Sequence, residues 1–235
     1  MKALFDTIKR IAKRGLTQAE VDEINGHLGV APTAPPRPPA TFTSAPFFEA
    51  VRAITGPLTQ VQVDSINAVL KRMTGMTIQH VAYVLATAWH EARFIPQHEW
   101  GRGKGRPYAK PDARLRPKPG LPTYGGQIPY GRGLVQLTWV ENYEWADKRL
   151  GLNGALLKDF DLALRPDIAA DVLVFGMFEA AFASNGKPLA HYGPKADGSF
   201  DYVRARQTVN VLDKADLIAG HARRFEAALK AGGWA

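Results

Sequence analysis

Two glutamates near the middle of the chain have the residue type and spacing for acid–base chemistry. Glu91 ends an apolar segment beside Trp89 and His90, and Glu99 follows eight residues later, after Pro96. A carboxyl in aromatic, low-dielectric surroundings holds its proton more tightly, as a general acid near neutral pH requires. Hydrolysis of a glycosidic bond uses such a pair, one carboxyl protonated and one ionised. The alternative is that both are structural, Glu91 paired with an arginine at a helix end and Glu99 with an arginine in a loop.

The segment 130–145 carries groups suited to a polar, ring-shaped ligand. Glycines at 131 and 133 permit close approach of the backbone. Neutral polar side chains suit hydroxyls, amides and a positioned water, and they are Gln136, Thr138 and Asn142. Aromatic rings able to stack on sugar faces are Tyr130, Trp139, Tyr143 and Trp145. The alternative is that Thr138 caps a helix and the aromatic rings belong to the core.

The charge of the chain is concentrated beside these glutamates. The protein has a net charge of +8 and a pI near 9.7. Residues 93–118 hold eight basic and two acidic residues, a net charge of +6. Such a segment indicates an anionic partner: a wall polymer, a membrane surface or a nucleic acid. Solubility alone is the other explanation.

Composition excludes several classes of protein. The 235 residues include no cysteine, which excludes a disulfide scaffold, a thiolate zinc site and a cysteine nucleophile. No apolar run approaches the length of a membrane span, and the N-terminus lacks the apolar core of a classical signal peptide. If the protein acts outside the cytoplasm, we expect another component to take it there.

Amphipathic helices must position the candidate groups. Helical periodicity predicts helices over 77–94, 166–184 and 213–229, and a capping box from Thr138 to Glu141 predicts another helix start. The stretch 96–129 has no periodicity and is longer than an ordinary connection, which is typical of a functional loop. A small hairpin is expected within 124–136.

The first part of the chain predicts a separate element. Residues 16–25 recur as 58–67, each copy opening with a capping box, at Thr17 and Thr59. We therefore expect a helical hairpin over 1–29, which docks on the body or binds a wall or membrane. A proline-rich linker is expected over 30–46 and the main domain over 47–235.

Four ordered motifs resemble the family 19 glycoside hydrolases, and most closely their phage and prophage endolysin members. They are ATAWHE at 86–91, HEWG at 98–101, YGRGLVQLTW at 130–139 and ARQTVN at 205–210. The resemblance covers roughly residues 47–230. It implies a mainly helical, lysozyme-like domain, an inverting mechanism and no cofactor or metal.

The resemblance also implies roles for single residues. Glu91 would be the general acid, Glu99 the general base, and Thr138 would help to hold the attacking water. Positions that would contact substrate are His90, Tyr130, Gln136, Trp139, Asn142, Arg206 and Asn210. The sequence departs from the family pattern at Ala92 and Val211, and Asp112 stays open as an alternative base.

The expected substrate is bacterial peptidoglycan, because its peptide carboxylates make it anionic and residues 93–118 are basic. Such an endolysin is made in the host cytoplasm and acts on the wall, and we expect a monomer. Alternatives are a chitinase and a wall-binding module without activity. A zinc amidase lacks clustered histidine ligands, and a nucleic-acid binder lacks a recognisable motif, so neither is expected.

Overall fold

The computed structural model describes residues 42–109, 127–183 and 185–234. This part of the chain is mainly helical, in agreement with the expected fold class. The α-helices of the described residues are α1 (Ser44–Thr55), α2 (Gln60–Arg72), α3 (Ile78–Ala92), α4 (Val140–Arg149), α5 (Ala155–Lys158), α6 (Pro166–Phe178) and α7 (Ala215–Ala231). Two strands, β1 (Gln97–His98) and β2 (Arg132–Gly133), pair antiparallel. Short 3-10 helices cover Pro107–Ala109, Phe160–Leu164, Leu189–Tyr192 and Arg204–Thr208.

Helix α3 is the centre of the core. Ten of its fifteen residues are buried, because α7 packs along one side and α6 and α2 approach from others. Helix α1 lies against α7, and Phe42 just before it packs edge-on against Trp234 with ring centroids 5.4 Å apart. The apolar stripes seen in the sequence are thus the faces that these helices bury against one another.

Several predicted boundaries differ from those of the structure. Helix α1 begins at Ser44, inside the predicted linker, so the final residues of 30–46 belong to the body. Helix α6 ends at Phe178 rather than at 184, because Ala180 adopts a left-handed φ of 58° and the chain turns back. The ring of Phe182 then lies so close to Gly176 that a Cβ there would stand 1.8 Å from it.

One predicted capping box is present and another is absent. Thr59 accepts the Gln62 N–H, and the Gln62 side chain accepts from the Thr59 backbone, as the repeat predicts. At the start of α4 the prediction is wrong: the N-cap is Trp139, without a side-chain cap, and Thr138 donates its hydroxyl to the Gln136 carbonyl at 2.7 Å. The predicted hairpin over 1–29, its capping box and Asp112 lie outside the described residues.

A buried arginine holds the hairpin region together. Arg132 is 4% exposed, and its guanidinium binds Asp161 at 2.6 Å and the Ile128 and Tyr130 carbonyls at 3.0 and 3.1 Å. Backbone hydrogen bonds join Arg132 and Leu137 in both directions. The expected small hairpin is therefore present over 132–137, where it carries the polar side chains that follow. No helix among the described residues has the length and apolar character to span a membrane.

Candidate active site

Glu91 lies at the end of α3, where it pairs with a buried arginine. The Glu91 side chain is 20% exposed, and its Oε1 lies 2.5 Å from Nη1 of Arg206, which is 3% exposed. The Arg206 Nε donates to the Asp213 carbonyl at 2.9 Å, which fixes the guanidinium. Oε2 of Glu91 accepts no hydrogen bond from the described residues. Arg206 thus holds one oxygen of the Glu91 carboxyl, and the other oxygen is available to bind a ligand.

The alternative for Glu91 was a pair with an arginine at the helix end, and Glu91 does pair with an arginine, but with Arg206 and not with the neighbouring Arg93. Arg93 instead lies over the Trp89 ring, with its guanidinium carbon 4.5 Å from the centroid. It can do so because Arg93 and Phe94 both adopt left-handed backbone angles as α3 ends. Arg206 was predicted to contact substrate. Its burial and its two hydrogen bonds make it a positioning residue for Glu91.

Glu99 is held by donors from two other segments. Its side chain is 19% exposed, and Oε1 accepts the Tyr108 hydroxyl at 2.5 Å. Oε2 accepts the Gly131 N–H at 3.1 Å, and the Glu99 N–H donates to the Gly131 carbonyl at 2.7 Å. Arg106 from the basic segment lies 4.0 Å from Oε1. Glu99 is thus held in one orientation by a tyrosine hydroxyl and a backbone N–H, with a cation nearby.

Tyr108 is a site residue that the sequence did not single out. Burial and the adjacent Glu99 raise the pKa of Tyr108 to about 12, so its hydroxyl remains a donor throughout the neutral range. Its ring also packs edge-on against Trp139, with centroids 5.2 Å apart. Tyr108 therefore links the candidate base to an exposed aromatic ring. Its only signal in the sequence is an aromatic residue inside a basic, proline-rich stretch.

Next to Glu99 lies a polar groove of about 380 Å³. The residues that line the polar groove are Val135, Gln136, Thr138, Trp139, Asn142, Ala181, Phe182, Ala183 and Val209. Four of them were predicted from the sequence as site residues: Gln136, Thr138, Trp139 and Asn142. The Asn142 side chain donates to the Thr138 carbonyl at 2.7 Å, so these polar groups support one another.

Contacts connect both glutamates to the polar groove. Gly131, which binds Glu99, lies so close to the groove that a Cβ added there would stand 2.8 Å from Oε1 of Gln136 and 3.2 Å from Oγ1 of Thr138. Arg206 binds Glu91, and Val209, three residues later in the chain, lines the groove. Neither glutamate lines the groove itself: Gly131 connects Glu99 to it, and a short stretch of chain connects it to the arginine that binds Glu91.

Two groove residues have strained backbones. Gln136 has a φ of 56°, and Trp139 has φ 72° and ψ 141°, a region that glycine alone enters easily. Such conformations cost about 1–3 kcal/mol each and concentrate at functional sites. The Trp139 ring is held 46% exposed at the groove, which suits stacking on a ligand. Trp100, beside Glu99, is 98% exposed.

Three predicted substrate contacts have other surroundings. Tyr130 is 7% exposed and lies under the Arg132 guanidinium at 3.7 Å, which leaves little of its ring for a sugar. Asn210 is exposed, and its side-chain oxygen accepts the Val211 N–H at 2.7 Å. His90 is partly exposed beside Glu91, and burial lowers its pKa, so it is neutral at pH 7. Tyr130 is thus a support for the hairpin, and Tyr143 is fully buried in the core.

No metal-binding cluster of three or more His, Asp or Glu side chains occurs among the described residues. A comparison with protein-family models finds none that matches the chain, and a comparison with curated proteins finds no significant match.

Proposed function

We propose that the protein is a glycosidase that hydrolyses β-1,4 bonds of bacterial peptidoglycan by an inverting mechanism. The observation that carries this proposal is the pair of partly buried glutamates, each fixed by its own donors, beside a polar, aromatic-edged groove to which Gly131 and the segment 206–209 connect them. The resemblance of the sequence motifs to family 19 glycoside hydrolases of the endolysin type supports the same activity, as does a mainly helical body. The lysozyme-like arrangement of that body is part of the proposal.

In the proposed reaction each glutamate has one task. Glu91 gives its proton to the glycosidic oxygen as the bond from that oxygen to the anomeric carbon breaks. Arg206, against Oε1, stabilises the negative charge that then forms on Glu91. Glu99 takes a proton from the water whose oxygen bonds to the anomeric carbon from the opposite face. Glu91 then takes a proton from solvent and Glu99 releases one to it, which restores the starting state of both carboxyls.

The groove residues position the substrate and the water. The hydroxyl of Thr138 donates to the Gln136 carbonyl, so its lone pairs are directed to whatever occupies the groove. Gln136 and Asn142 offer amide groups to sugar hydroxyls and N-acetyl groups, and Trp139 offers a ring face. The lack of cofactor is part of the proposal, since acid–base catalysis with two carboxyls needs none.

The peptidoglycan preference follows from charge. Arg102, Lys104 and Arg106 follow Glu99 within seven residues, and Arg106 lies 4.0 Å from its carboxylate. An anionic polymer is attracted electrostatically by these cationic side chains, and the attraction weakens as salt is added. Chitin has the same N-acetylated sugars but carries no charge, so these cations do not attract it.

The test measures new reducing ends released from purified sacculi and from chitin oligomers. We expect the wild type to act on sacculi and the Glu91→Gln and Glu99→Gln variants to be at least 100-fold slower, an order-of-magnitude loss typical for acid–base groups. The matched control is Glu144→Gln, an exposed glutamate of α4 outside the groove. Binding to sacculi without release of reducing ends would indicate a wall-binding module instead, and release from chitin alone a chitinase.

A further inference from the structure

A second concave surface, the basic pocket, lies on the segment after α6. It has a volume of about 410 Å³, in the range of ligand-binding pockets. The side chains that define its chemistry are Lys187, His191, Lys195, Asp201, Arg204 and Gln207. Nothing in the proposed reaction uses these residues.

The pocket carries a net positive charge that its own acid does not cancel. Three cationic side chains face one carboxylate, that of Asp201, which accepts the Arg204 N–H at 2.9 Å and lies 3.8 Å from the Arg204 Nε. Within the described residues no carboxylate comes within 4.0 Å of the Lys187 or Lys195 ammonium group. Asp197 attracts Lys195 from outside the lining. The ammonium groups of Lys187 and Lys195 are therefore available to bind an anion.

The floor of the pocket is ordered. Tyr192 is 5% exposed, and its hydroxyl accepts the Asn185 amide at 3.0 Å and donates to Oε1 of Gln207 at 3.4 Å. This chain of hydrogen bonds fixes Gln207 on the side of the 3-10 helix Arg204–Thr208 that faces the pocket. A ligand that enters the pocket meets a surface fixed by these hydrogen bonds, with exposed cationic side chains around it.

One short helix joins the basic pocket to the candidate active site. Within Arg204–Thr208 the residues Arg204 and Gln207 line the pocket, while Arg206 between them binds Glu91. Val209, directly after the helix, lines the polar groove. The same stretch of chain thus contributes residues to the basic pocket and to the polar groove, and the inference below includes that a substituent branching from sugars in the groove reaches these cations.

We propose that the basic pocket binds the carboxylates of the peptide stems that branch from the glycan of peptidoglycan. The inference rests on the proposed glycosidase function and assigns recognition of the peptide stems to this pocket, in addition to the general attraction of Arg102, Lys104 and Arg106 for an anionic polymer. Because the lysines are exposed, the pocket contributes through several weak ion pairs rather than through one strong pair. It acts on substrate choice and leaves the chemical step to Glu91 and Glu99.

The experiment uses three substrates: sacculi that retain their phosphate-bearing polymers, sacculi freed of them, and freed sacculi whose peptide stems an amidase has removed. The amidase leaves one lactyl carboxylate on each muramic acid, so the stripped glycan lacks only the carboxylates of the stems. We expect the wild type to cleave the stem-bearing glycan roughly three- to tenfold faster, from ion pairs of ordinary surface strength. The double variant Lys187→Gln/Lys195→Gln should lose most of that preference and keep its rate on stripped glycan. The matched control, Lys71→Gln/Lys148→Gln, removes two exposed lysines that do not line the pocket and should keep the preference.

The outcomes separate this inference from the proposed function. A preference that survives in the pocket variant, or falls equally in the control, overturns the inference while the glycosidase stands. If no substrate releases reducing ends, the glycosidase proposal fails. The pocket is then tested by binding of a soluble disaccharide–tetrapeptide to the wild type and to the pocket variant. Weaker binding by the variant supports the inference, and equal binding overturns it. A loss confined to sacculi that retain their phosphate polymers would identify phosphate as the ligand and contradict the peptide assignment.

Discussion

Replacing Tyr108 by phenylalanine isolates the role of Glu99. The change removes one hydrogen bond, the 2.5 Å contact from the tyrosine hydroxyl to Oε1, and keeps the ring that packs against Trp139. The Gly131 N–H still holds Oε2, so Glu99 stays in place with one donor fewer. A hydrogen bond to a charged group contributes about 1.5–3 kcal/mol. If Glu99 is the base and needs this orientation, we expect kcat to fall about tenfold to a hundredfold with little change in KM.

A second tyrosine–glutamate pair supplies the control. The Tyr202 hydroxyl donates to Oε2 of Glu226 at 2.6 Å, and neither residue lines the polar groove. Tyr202→Phe removes the same kind of bond, and both variants should lose about 1.5–3 kcal/mol of stability in urea unfolding. Initial rates on soluble glycan strands then separate orientation from stability. Wild-type kcat in Tyr108→Phe, or an equal fall in Tyr202→Phe, would refute the assignment of Glu99.

Three further predictions concern the groove and the pH range. Trp139→Ala should raise KM about three- to tenfold by removing a stacking face, with kcat largely kept; a lower kcat at constant KM would argue against stacking. Gly131→Ala should lower activity more than stability, because the added Cβ would stand 2.8 Å from Oε1 of Gln136; unchanged steady-state rates would contradict the close approach. Among the described residues, Tyr108, whose pKa is raised to about 12, is one of four tyrosines with a raised pKa, the others being Tyr83, Tyr143 and Tyr202. The contribution of these tyrosines to the free energy of unfolding should be full below pH 10 and fall as the pH rises from about 10 to 12, because the tyrosines of the unfolded chain ionise first. Urea unfolding at each pH, together with tyrosinate absorbance, measures this loss. A free energy of unfolding that does not change over this range would contradict the prediction.

The helices were largely readable from the sequence. The apolar spacing that predicted a helix over 77–94 corresponds to α3, Ile78–Ala92, since that stripe is what α7 and α6 cover. The capping box at Thr59 formed because its Gln62 points back at the backbone. The similar pattern at Thr138 failed because the left-handed angles at Gln136 and Trp139 turn the threonine hydroxyl toward the Gln136 carbonyl. Local pattern does not report such turns.

The partners of the candidate glutamates were much harder to predict. Arg206 lies 115 positions from Glu91 in the chain, and their contact depends on packing of the last third of the chain against α3. Tyr108 reaches Glu99 across a loop without periodicity, where no rule of spacing applies. The polar side chains of 136–142 could be predicted because they are close together in the sequence, and the hairpin and helix α4 then place them side by side. Residue types thus indicated the chemistry, whereas tertiary contacts decide which groups assist it.

The bond cut in the wall polymer tests the central claim most directly. Mass spectrometry of sacculi digested by the wild type should identify disaccharide–peptide fragments with new reducing ends, and a parallel digest with Glu91→Gln should yield none. Fragments whose glycan strands stay intact while peptide or amide bonds are broken would contradict the account, as would full digestion by the Glu91→Gln variant.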